Sequence, residues 1–236
     1  IYILTNTGNA ITTLAGNTGT VSFLENSGFA IGTVNTVGLT TTGNTTLSTT
    51  GTVTQSQAIT ASGLELLGTA GIYTLTNTSN AITTLAGNTG TVSFLANGGF
   101  DIGTVNTVGL TTTGNTTLST TGTVTQAQAI TASGLELLGT AGIYTLTNTG
   151  NAITTLAGNT GTVSFLENSG FAIGTVNTVG LTTTGNTTLS TTGTVTQSQK
   201  VAASGLELLG AGTFTLTNTG SANAISTLAT NAGVVS

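Results

Sequence analysis

Hydrophobic and polar residues alternate along most of the chain, usually with a threonine on either side of an aliphatic residue. Thr74-Leu75-Thr76 and Thr123-Val124-Thr125 are typical, and a second pattern of small residue, aliphatic residue and threonine follows a few positions later, as in Ala129-Ile130-Thr131. A period of two places the aliphatic side chain on one face of a β-strand and both hydroxyls on the other. Glycine and asparagine, which tolerate turn conformations, separate these runs. The pattern therefore predicts many short strands and no helix.

These strands recur in a long repeat. The chain reads as a single repeat array, with copies at residues 1–71, 72–142 and 143–212 and a partial copy at 213–236. The first two copies differ at six positions. Because the array stops part-way through its fourth copy, we expect the chain to be a segment of a longer protein.

A shorter period lies inside each copy of the long repeat. The Thr-aliphatic-Thr/Asn pattern is centred on Leu75, Val105 and Val124 and returns at Leu146 in the next copy. These three intervals are unequal, and the one between Leu75 and Val105 is the longest. Units of about 20 residues built from strands are typical of a solenoid. The sequence thus predicts an all-β fold, a parallel β-helix of about ten coils with three short strands each. In this register, Leu75, Val105 and Val124 stack inside successive coils.

The same register places other residues in columns. The third strand of successive coils would be Val92-Ser93-Phe94-Leu95, Thr117-Leu118-Ser119 and Leu135-Glu136-Leu137. The aromatic residues recur from copy to copy, and we expect them to pack in the core or at the coil edges. They are Tyr2, Tyr73, Tyr144 and Phe214, then Phe23, Phe94 and Phe165, and lastly Phe29, Phe100 and Phe171.

Composition excludes several functions. The chain has no histidine and no cysteine, so imidazole and thiolate metal sites and the usual nucleophile–histidine pairs cannot be built. A single basic residue, Lys200, cannot neutralise a nucleic-acid backbone. No apolar run is long enough for a transmembrane helix. Disorder is also excluded, because 37% of the residues are hydrophobic and 63 are threonine, a residue that favours strands.

Three segments together resemble the repeats of filamentous haemagglutinin-like proteins. These are residues 131–139 (TASGLELLG), 144–148 (YTLTN) and 152–158 (AITTLAG). Members of that family are very large bacterial exoproteins, typically exported by two-partner secretion. The resemblance covers essentially the whole chain, although the family's amino-terminal secretion domain is not represented. It implies a right-handed β-helical shaft at the cell surface, used in adhesion or as a structural fibre.

The six acidic residues do not suggest catalysis. Glu65, Glu136 and Glu207 occur once per copy, and the predicted register stacks them in one column three coils apart. This separation of about 14 Å exceeds that of paired catalytic carboxyl groups. The others are Glu25, Glu167 and Asp101, and alanine replaces each of them in another copy. We interpret all six as solvated surface charges. A polysaccharide-active β-helix would need a cluster of acids and bases that the chain lacks.

The threonine array is the most distinctive candidate for recognition. Outward side chains should form two parallel ranks on one flat face, as in ice-binding β-helices with Thr-x-Thr faces. The candidate surface-contact residues are Thr74, Thr76, Thr104, Asn106, Thr123 and Thr125. The alternative is that threonine is simply a favourable exposed strand residue.

The sequence therefore predicts a non-enzymatic extracellular shaft of a giant repetitive bacterial adhesin or surface fibre. It would be secreted and associated with the outer membrane, without a cofactor or a metal. We expect self-association end to end or side by side, since the terminal coils carry unpaired strand edges without proline or charge. A glycan or protein of a host or neighbouring cell is the other expected partner. The alternative function is an ice- or glycan-binding β-helix that uses the Thr-x-Thr face.

Overall fold

The protein is a β-solenoid of about 11 turns. Its structure, a computed structural model, describes all of residues 1–236, and 22 strands make up the regular structure. Every pairing between strands is parallel, as in β1 with β4 and β15 with β16. No segment forms a helix, and so none is available as a membrane-crossing helix. The predicted all-β solenoid is confirmed, with about one turn more than the ten expected.

The strands follow the repeats. The first copy contains β1 (Tyr2–Leu4), β2 (Thr13–Leu14), β3 (Gly16–Thr18), β4 (Val21–Leu24), β5 (Gly28–Ile31), β6 (Leu39–Thr41), β7 (Asn44–Ser48), β8 (Thr52–Gln55) and most of β9 (Ile59–Leu75). The second contains β10 (Ala81–Ala96), β11 (Phe100–Ile102), β12 (Leu110–Thr112), β13 (Asn115–Thr120), β14 (Thr123–Gln126) and most of β15 (Ile130–Leu146). The remainder contains β16 (Ala152–Leu166), β17 (Ala172–Ile173), β18 (Leu181–Thr183), β19 (Asn186–Ser190), β20 (Thr194–Gln197), β21 (Val201–Phe214) and β22 (Ala224–Val235).

One coil consists of three strand segments. The long strand β10 pairs below with β9 and pairs above with β11, β12 and β13 in turn. The pairing with β9 shifts register between Thr89 and Thr91, where the long strands bend. The expected three strands per coil are therefore present, although some of them join into one continuous strand.

The core is a column of apolar side chains that runs through the stacked coils. It contains 42 buried residues in one cluster. Phe94 lies on Leu75 in the coil below and under Leu118 in the coil above, which is followed by Leu137. All four side chains are fully buried. The predicted placement of the three segments that contain these residues of β10, β13 and β15 in successive coils is confirmed.

The long repeat does not contain a whole number of coils. Glu136 pairs with Thr117 in the coil below, Thr117 pairs with Ser93, and Ser93 pairs with Thr74. Thr74 therefore lies three coils below Glu136, but it is nine residues beyond Glu65 in the sequence. Glu65 lies above β7, whereas Tyr73, next to Thr74, lies above β8, the following strand of the coil. One repeat therefore makes about three and one-third turns, and each copy is rotated by one face from the copy before.

This rotation corrects the predicted columns. Equivalent residues of successive copies, such as Glu65 and Glu136, lie on different faces and do not stack. Glu207, the third repeated glutamate, shows the same offset. The residue three coils below it is Thr145, which is nine residues beyond Glu136 in the sequence. The long repeat was visible in the sequence, but its phase relative to the coil was not.

The second correction concerns Val105. It is half-buried and lies outside the core, in a loop between β11 and β12. An antiparallel bridge between Thr104 and Val108 closes this loop, and the amide of Gly109 donates to the carbonyl of Gly103 at 2.9 Å. The unusually long interval before Val105 arises because the triplet around it belongs to this excursion and not to a strand of the coil. Leu75 and Val124 are fully buried as predicted, but Val105 does not stack between them in the core.

The aromatic residues pack in the core. Phe94 meets Phe100 edge to face at a centroid separation of 5.4 Å, and the other copies contain the same pair. The hydroxyl of Tyr144 lies 2.8 Å from the carbonyl oxygens of both Leu118 and Leu138, so the buried polar group has partners. Tyr2 is the exception, with 57% of its surface exposed.

Leu118→Ala tests the apolar column. Since Leu118 packs between two buried side chains, its truncation leaves a cavity, and we expect a loss of about 2–5 kcal/mol in the free energy of unfolding. Val108→Ala is the matched control, because this side chain is 63% exposed, and its effect should stay within about 0.5 kcal/mol. Denaturant unfolding measures both, and equal effects would contradict the assigned core.

Candidate functional site

The six predicted contact residues lie in three different places. Thr74 and Thr76 are exposed on β9 and just beyond its end, and Thr123 and Thr125 are exposed on β14. The other two, Thr104 and Asn106, belong to the loop between β11 and β12. All six residues are exposed.

These residues do not form one flat face. The residue two coils above Thr74 is Thr117, which lies on β13. Thr125 lies on β14, the next strand of that coil, and so on a different face from Thr74. Beneath Thr125 is Asp101, whose carboxylate accepts a hydrogen bond from the Thr125 hydroxyl at 2.9 Å. Because each copy is rotated by one face, the threonine ranks are distributed around the rod. The structure therefore corrects the predicted single Thr/Asn face.

The loop that contains Asn106 serves a different purpose, since it covers Glu65. Only 1% of the Glu65 surface is exposed, so the interpretation of this acid as a solvated charge is wrong. Oε1 accepts hydrogen bonds from the backbone amides of Asn106 at 3.2 Å and Thr107 at 2.6 Å. Oε2 accepts from the Asn106 side-chain amide at 2.7 Å and from the Thr46 hydroxyl at 2.8 Å.

We call this arrangement a latch, meaning a loop of one coil bound to the glutamate two coils below. Ala86 lies directly on Glu65 in the intervening coil, and its small side chain leaves room for the loop to pass. Val105 of the same loop packs over Gly63, where a Cβ atom would lie 2.9 Å from Cγ2 of the valine. Glycine at this position thus lets the loop approach the strand.

The next copy repeats the latch one face further round the rod. Glu136 is 1% exposed and accepts hydrogen bonds from Thr117 Oγ1 at 2.7 Å, Asn177 Nδ2 at 2.8 Å and the amide of Thr178 at 2.5 Å. Val176 packs over Gly134 as Val105 packs over Gly63. The same geometry in two copies indicates that the latch is a regular feature of the repeat.

Electrostatics favour the charged form of both glutamates. Burial acts to raise the pKa of Glu65, but the hydrogen bonds from Asn106, Thr107 and Thr46 outweigh it and hold the pKa below its ordinary value. The pKa of Glu136 is lowered in the same way against the effect of burial, by Asn177, Thr178 and Thr117. Each latch is therefore built around a carboxylate that stays ionised at neutral pH.

One loop and one glutamate remain outside any latch. Glu207 is exposed and accepts a single hydrogen bond, from the Thr188 hydroxyl at 3.0 Å. At the other end, the loop at residues 33–37 has no glutamate beneath it, and Val34 is 60% exposed. Glu207 is the only one of the three repeated glutamates for which the interpretation as a surface charge holds.

Two further acids are also less exposed than predicted. Glu25 is 2% exposed, and its Oε1 accepts from the Ser27 hydroxyl at 2.7 Å and the Ser27 amide at 3.0 Å. These hydrogen bonds lower the pKa of Glu25 against its burial. Glu167 repeats the contacts with Ser169. Both residues form local turns at a coil corner, where the second copy has Ala96 instead.

A buried asparagine clamps the turns in the second and third copies of the repeat. Asn151 is 4% exposed, and its Oδ1 accepts from the amide of Ile130 at 2.9 Å. Its Nδ2 donates to the carbonyl oxygens of Leu146 at 3.2 Å and Leu166 at 2.9 Å. One side chain thus connects three successive coils. Asn80 makes the same contacts in the copy before.

The sequence contained signals for both features. The segment Gly-Thr-Val-Asn-Thr-Val-Gly occurs once per copy inside the longest interval, which indicates an excursion. The glutamate occurs in the apolar run Leu-Glu-Leu-Leu, where a charge needs specific partners. The pairing of loop and glutamate joins positions far apart in the chain, such as Glu65 and Asn106, across one intervening coil. No local pattern predicts that contact.

The carboxylates of the two latches make structural contacts and are not arranged for catalysis. Each carboxylate is closed to solvent and accepts at least three hydrogen bonds, so no free proton acceptor faces the surface there. Neighbouring latches are about three coils apart on different faces, a separation of at least about 14 Å. Paired carboxyl groups for glycoside chemistry lie closer than this.

Comparison with known proteins adds no assignment. No protein-family model, no curated protein and no solved structure matches the chain. The resemblance to filamentous haemagglutinin-like repeats therefore stays a prediction that rests on the sequence segments quoted above.

Glu65→Gln tests the latch. The substitution replaces one carboxylate oxygen by an NH2 group that faces N–H and O–H donors, and we expect a loss of about 1–3 kcal/mol in stability at pH 7. In the wild type, the lowered pKa contributes stability at pH values above the unfolded pKa of about 4.3, and this contribution is lost as the pH falls through the folded pKa. The variant should therefore lose less stability on acidification.

Glu207→Gln is the control for this measurement, since Glu207 lacks a loop and should change little. Denaturant unfolding between pH 7 and pH 3 provides both readouts. A Glu65→Gln protein that unfolds at the wild-type denaturant concentration at pH 7 would show that the latch contributes nothing.

Asn151→Asp tests the asparagine clamp. A carboxylate keeps the shape of the side chain but cannot donate to the carbonyl oxygens of Leu146 and Leu166. An unsatisfied buried carbonyl costs about 1–3 kcal/mol, so we expect a clear fall in the melting temperature. Asn168→Asp, on an exposed asparagine, is the matched control. Thermal unfolding followed by circular dichroism distinguishes them, and equal melting temperatures would refute the clamp.

Proposed function

We propose that the chain is a non-enzymatic extracellular structural shaft, part of a large repetitive bacterial adhesin or surface fibre. The observation that carries this proposal is the unbroken apolar column of 42 buried residues, enclosed by parallel ladders through all coils. Such a column resists bending and has no internal boundary at which the rod could hinge. A rigid rod of about 11 turns, at about 4.8 Å per turn, extends about 50 Å.

The latches support the same function. Each one ties a coil to the coil two below it through a buried, charge-assisted contact, as Asn106 and Thr107 do with Glu65. Hydrogen bonds to charged groups are among the stronger ones in proteins. A force that peels one coil from the end of the rod must then break a long-range contact in addition to the ladder. This property suits a protein that carries mechanical load between a cell and its surroundings.

The proposed site of action is outside the cell, and this part of the proposal rests on the resemblance to secreted exoproteins. The nearly uncharged, hydroxyl-rich surface is compatible with lateral packing against like rods, because little net repulsion separates them. Attachment to a glycan or protein of another surface is the remaining partner proposal. The alternative of ice or glycan binding through a Thr-x-Thr face has less support, since the six candidate residues lie on separate surfaces.

A reach experiment tests the shaft function. The chain is displayed on a bacterial surface with an epitope at its outer end, once as the single array and once as two arrays in tandem. Reach is measured as the height of the epitope above the cell by super-resolution or force microscopy. The tandem array should raise the epitope by about 50 Å, whereas a glycine-serine linker of equal length should give a shorter and broader distribution.

The same preparation tests the alternatives. Release of sugars from bacterial or plant polysaccharides would overturn the non-enzymatic proposal. Tandem arrays that reach no further than the flexible linker would overturn the shaft.

A further inference from the structure

The corner that follows β4, β10 and β16 contains an asparagine in every copy, but the residues around it differ. The first and third copies have Asn26-Ser27 and Asn168-Ser169, each preceded by a glutamate. The second copy has Ala96 followed by Asn97-Gly98, the only Asn-Gly pair in the chain. All three asparagines are exposed. The corners therefore differ in the contacts of the asparagine and not in its exposure.

An asparagine side chain can react with the backbone of the residue that follows it. The backbone nitrogen of that residue loses its proton to water and attacks Cγ of the asparagine. The new N–Cγ bond closes a five-membered succinimide ring, and the side-chain nitrogen leaves as ammonia. Water then opens the ring at either carbonyl and produces aspartate or isoaspartate. Glycine favours the attack because it has no side chain to obstruct the close approach.

We propose that Asn97-Gly98 is a self-modification site, at which the folded chain converts Asn97 to aspartate and isoaspartate without an enzyme. In the same proposal, Glu25 and Glu167 protect the equivalent asparagines of the first and third copies. Water is the only co-reactant. The proposal goes beyond the shaft function and does not depend on it.

The amide that must attack is free in the second copy and held in the other two. The amide of Ser27 donates to Glu25 Oε1 at 3.0 Å, and the amide of Ser169 donates to Glu167 Oε1 at 2.9 Å. The second copy has no acceptor at this place, and the amide of Gly98 donates no hydrogen bond within the chain. A nitrogen that must first break a hydrogen bond to a carboxyl group reacts more slowly.

The asparagine side chain is also held in only two copies. Asn26 Nδ2 donates to Thr7 O at 3.3 Å, and Asn168 Nδ2 donates to Thr149 O at 3.3 Å. Asn97 forms hydrogen bonds through its backbone alone. Its side chain is therefore free to rotate toward the amide that follows it.

Water has access to the reacting atoms. A shallow pocket lined by Thr78, Ala96, Asn97 and Thr120 opens beside the corner. At Gly98, no atom lies within 4 Å of the position that a Cβ would take. Solvent can therefore accept the proton of the attacking amide and supply the water that opens the ring.

The product alters a corner next to the asparagine clamp of the second copy. The amide of Asn97 donates to Asn80 O at 2.8 Å, and the Thr120 hydroxyl donates to Gly98 O at 2.7 Å. Isoaspartate adds a methylene group to the backbone between these two contacts, and either product adds a negative charge. The reaction therefore changes the backbone and the charge of one copy and leaves the other two as they are.

Peptide mapping by mass spectrometry tests the site on the folded full chain. The protein is incubated in mildly alkaline buffer and then digested with pepsin in acid, where further deamidation is slow. Conversion replaces an NH2 group by an OH group and raises the peptide mass, and electron-transfer fragmentation distinguishes isoaspartate from aspartate. The peptides around Asn26 and Asn168 have one sequence and are measured together.

We expect Asn97 to convert at least about tenfold faster than Asn26 and Asn168. A factor of ten in rate corresponds to about 1.4 kcal/mol in the barrier, which is less than a hydrogen bond to a charged acceptor typically contributes.

Exchanges between the copies separate the effect of the corner from that of the Asn-Gly sequence. Ala96→Glu supplies the missing acceptor and should slow the conversion of Asn97 in the folded chain but not in denaturant. Glu25→Ala removes an acceptor and should speed the conversion of Asn26, while Asn168 in the same molecule keeps the wild-type rate. Both variants should fold, because each introduces a residue that another copy has at the same position.

Two results would overturn the proposal. Equal conversion of Asn97, Asn26 and Asn168 in the folded chain would show that the corner does not select the site. Wild-type rates in either variant would show that the glutamates give no protection. The shaft function would survive both results, because the reach of a tandem array does not depend on this reaction.

Discussion

Each coil of this protein can bury its apolar residues only against the coils directly above and below it. A single turn of about 21 residues encloses too little volume for a core of its own, so the stack is stable only as a continuous column. This requirement explains the alternation of burial at both ends of the long strand β9 and the fully buried side chains of Leu75, Phe94, Leu118 and Leu137. It also explains why turns are closed by buried asparagines, since any unpaired carbonyl at a corner would lie next to the column.

Nearest-neighbour stacking alone would leave the rod easy to unravel from an end. The latches change this by joining coils that are not neighbours. Glu65 is bound by a loop from two coils above, and Glu136 repeats the contact on another face. An ionised group that would be costly to bury alone becomes favourable when several donors surround it. The array thereby gains coupling over a longer range than a solenoid of simple ladders would have.

The sequence allowed the fold to be predicted because alternation and periodicity are local properties. The strands, the parallel stack and the placement of the segments around Phe94, Leu118 and Leu137 in successive coils all followed from these properties. The assignment failed at Val105, whose Thr-Val-Asn triplet has a strand pattern but lies in a loop. It also failed for Glu65 and Glu136, because the apolar run around each glutamate indicates that the charge needs partners but does not show that they lie two coils away. A separate error, the predicted column of Glu65, Glu136 and Glu207, came from the assumption that the long repeat fills a whole number of coils.

The rotation of one face per repeat has a consequence for the rod as a material. After three repeats, each kind of surface has been presented once in each of three directions, so no side is consistently richer in hydroxyls, loops or exposed valines. Stiffness against bending should then be nearly the same in every direction, and the rod should have no preferred plane of curvature. Neighbours approaching from any side would meet the same sequence of features, shifted only in height. A repeat with a whole number of coils would instead have produced a ribbon with distinct faces.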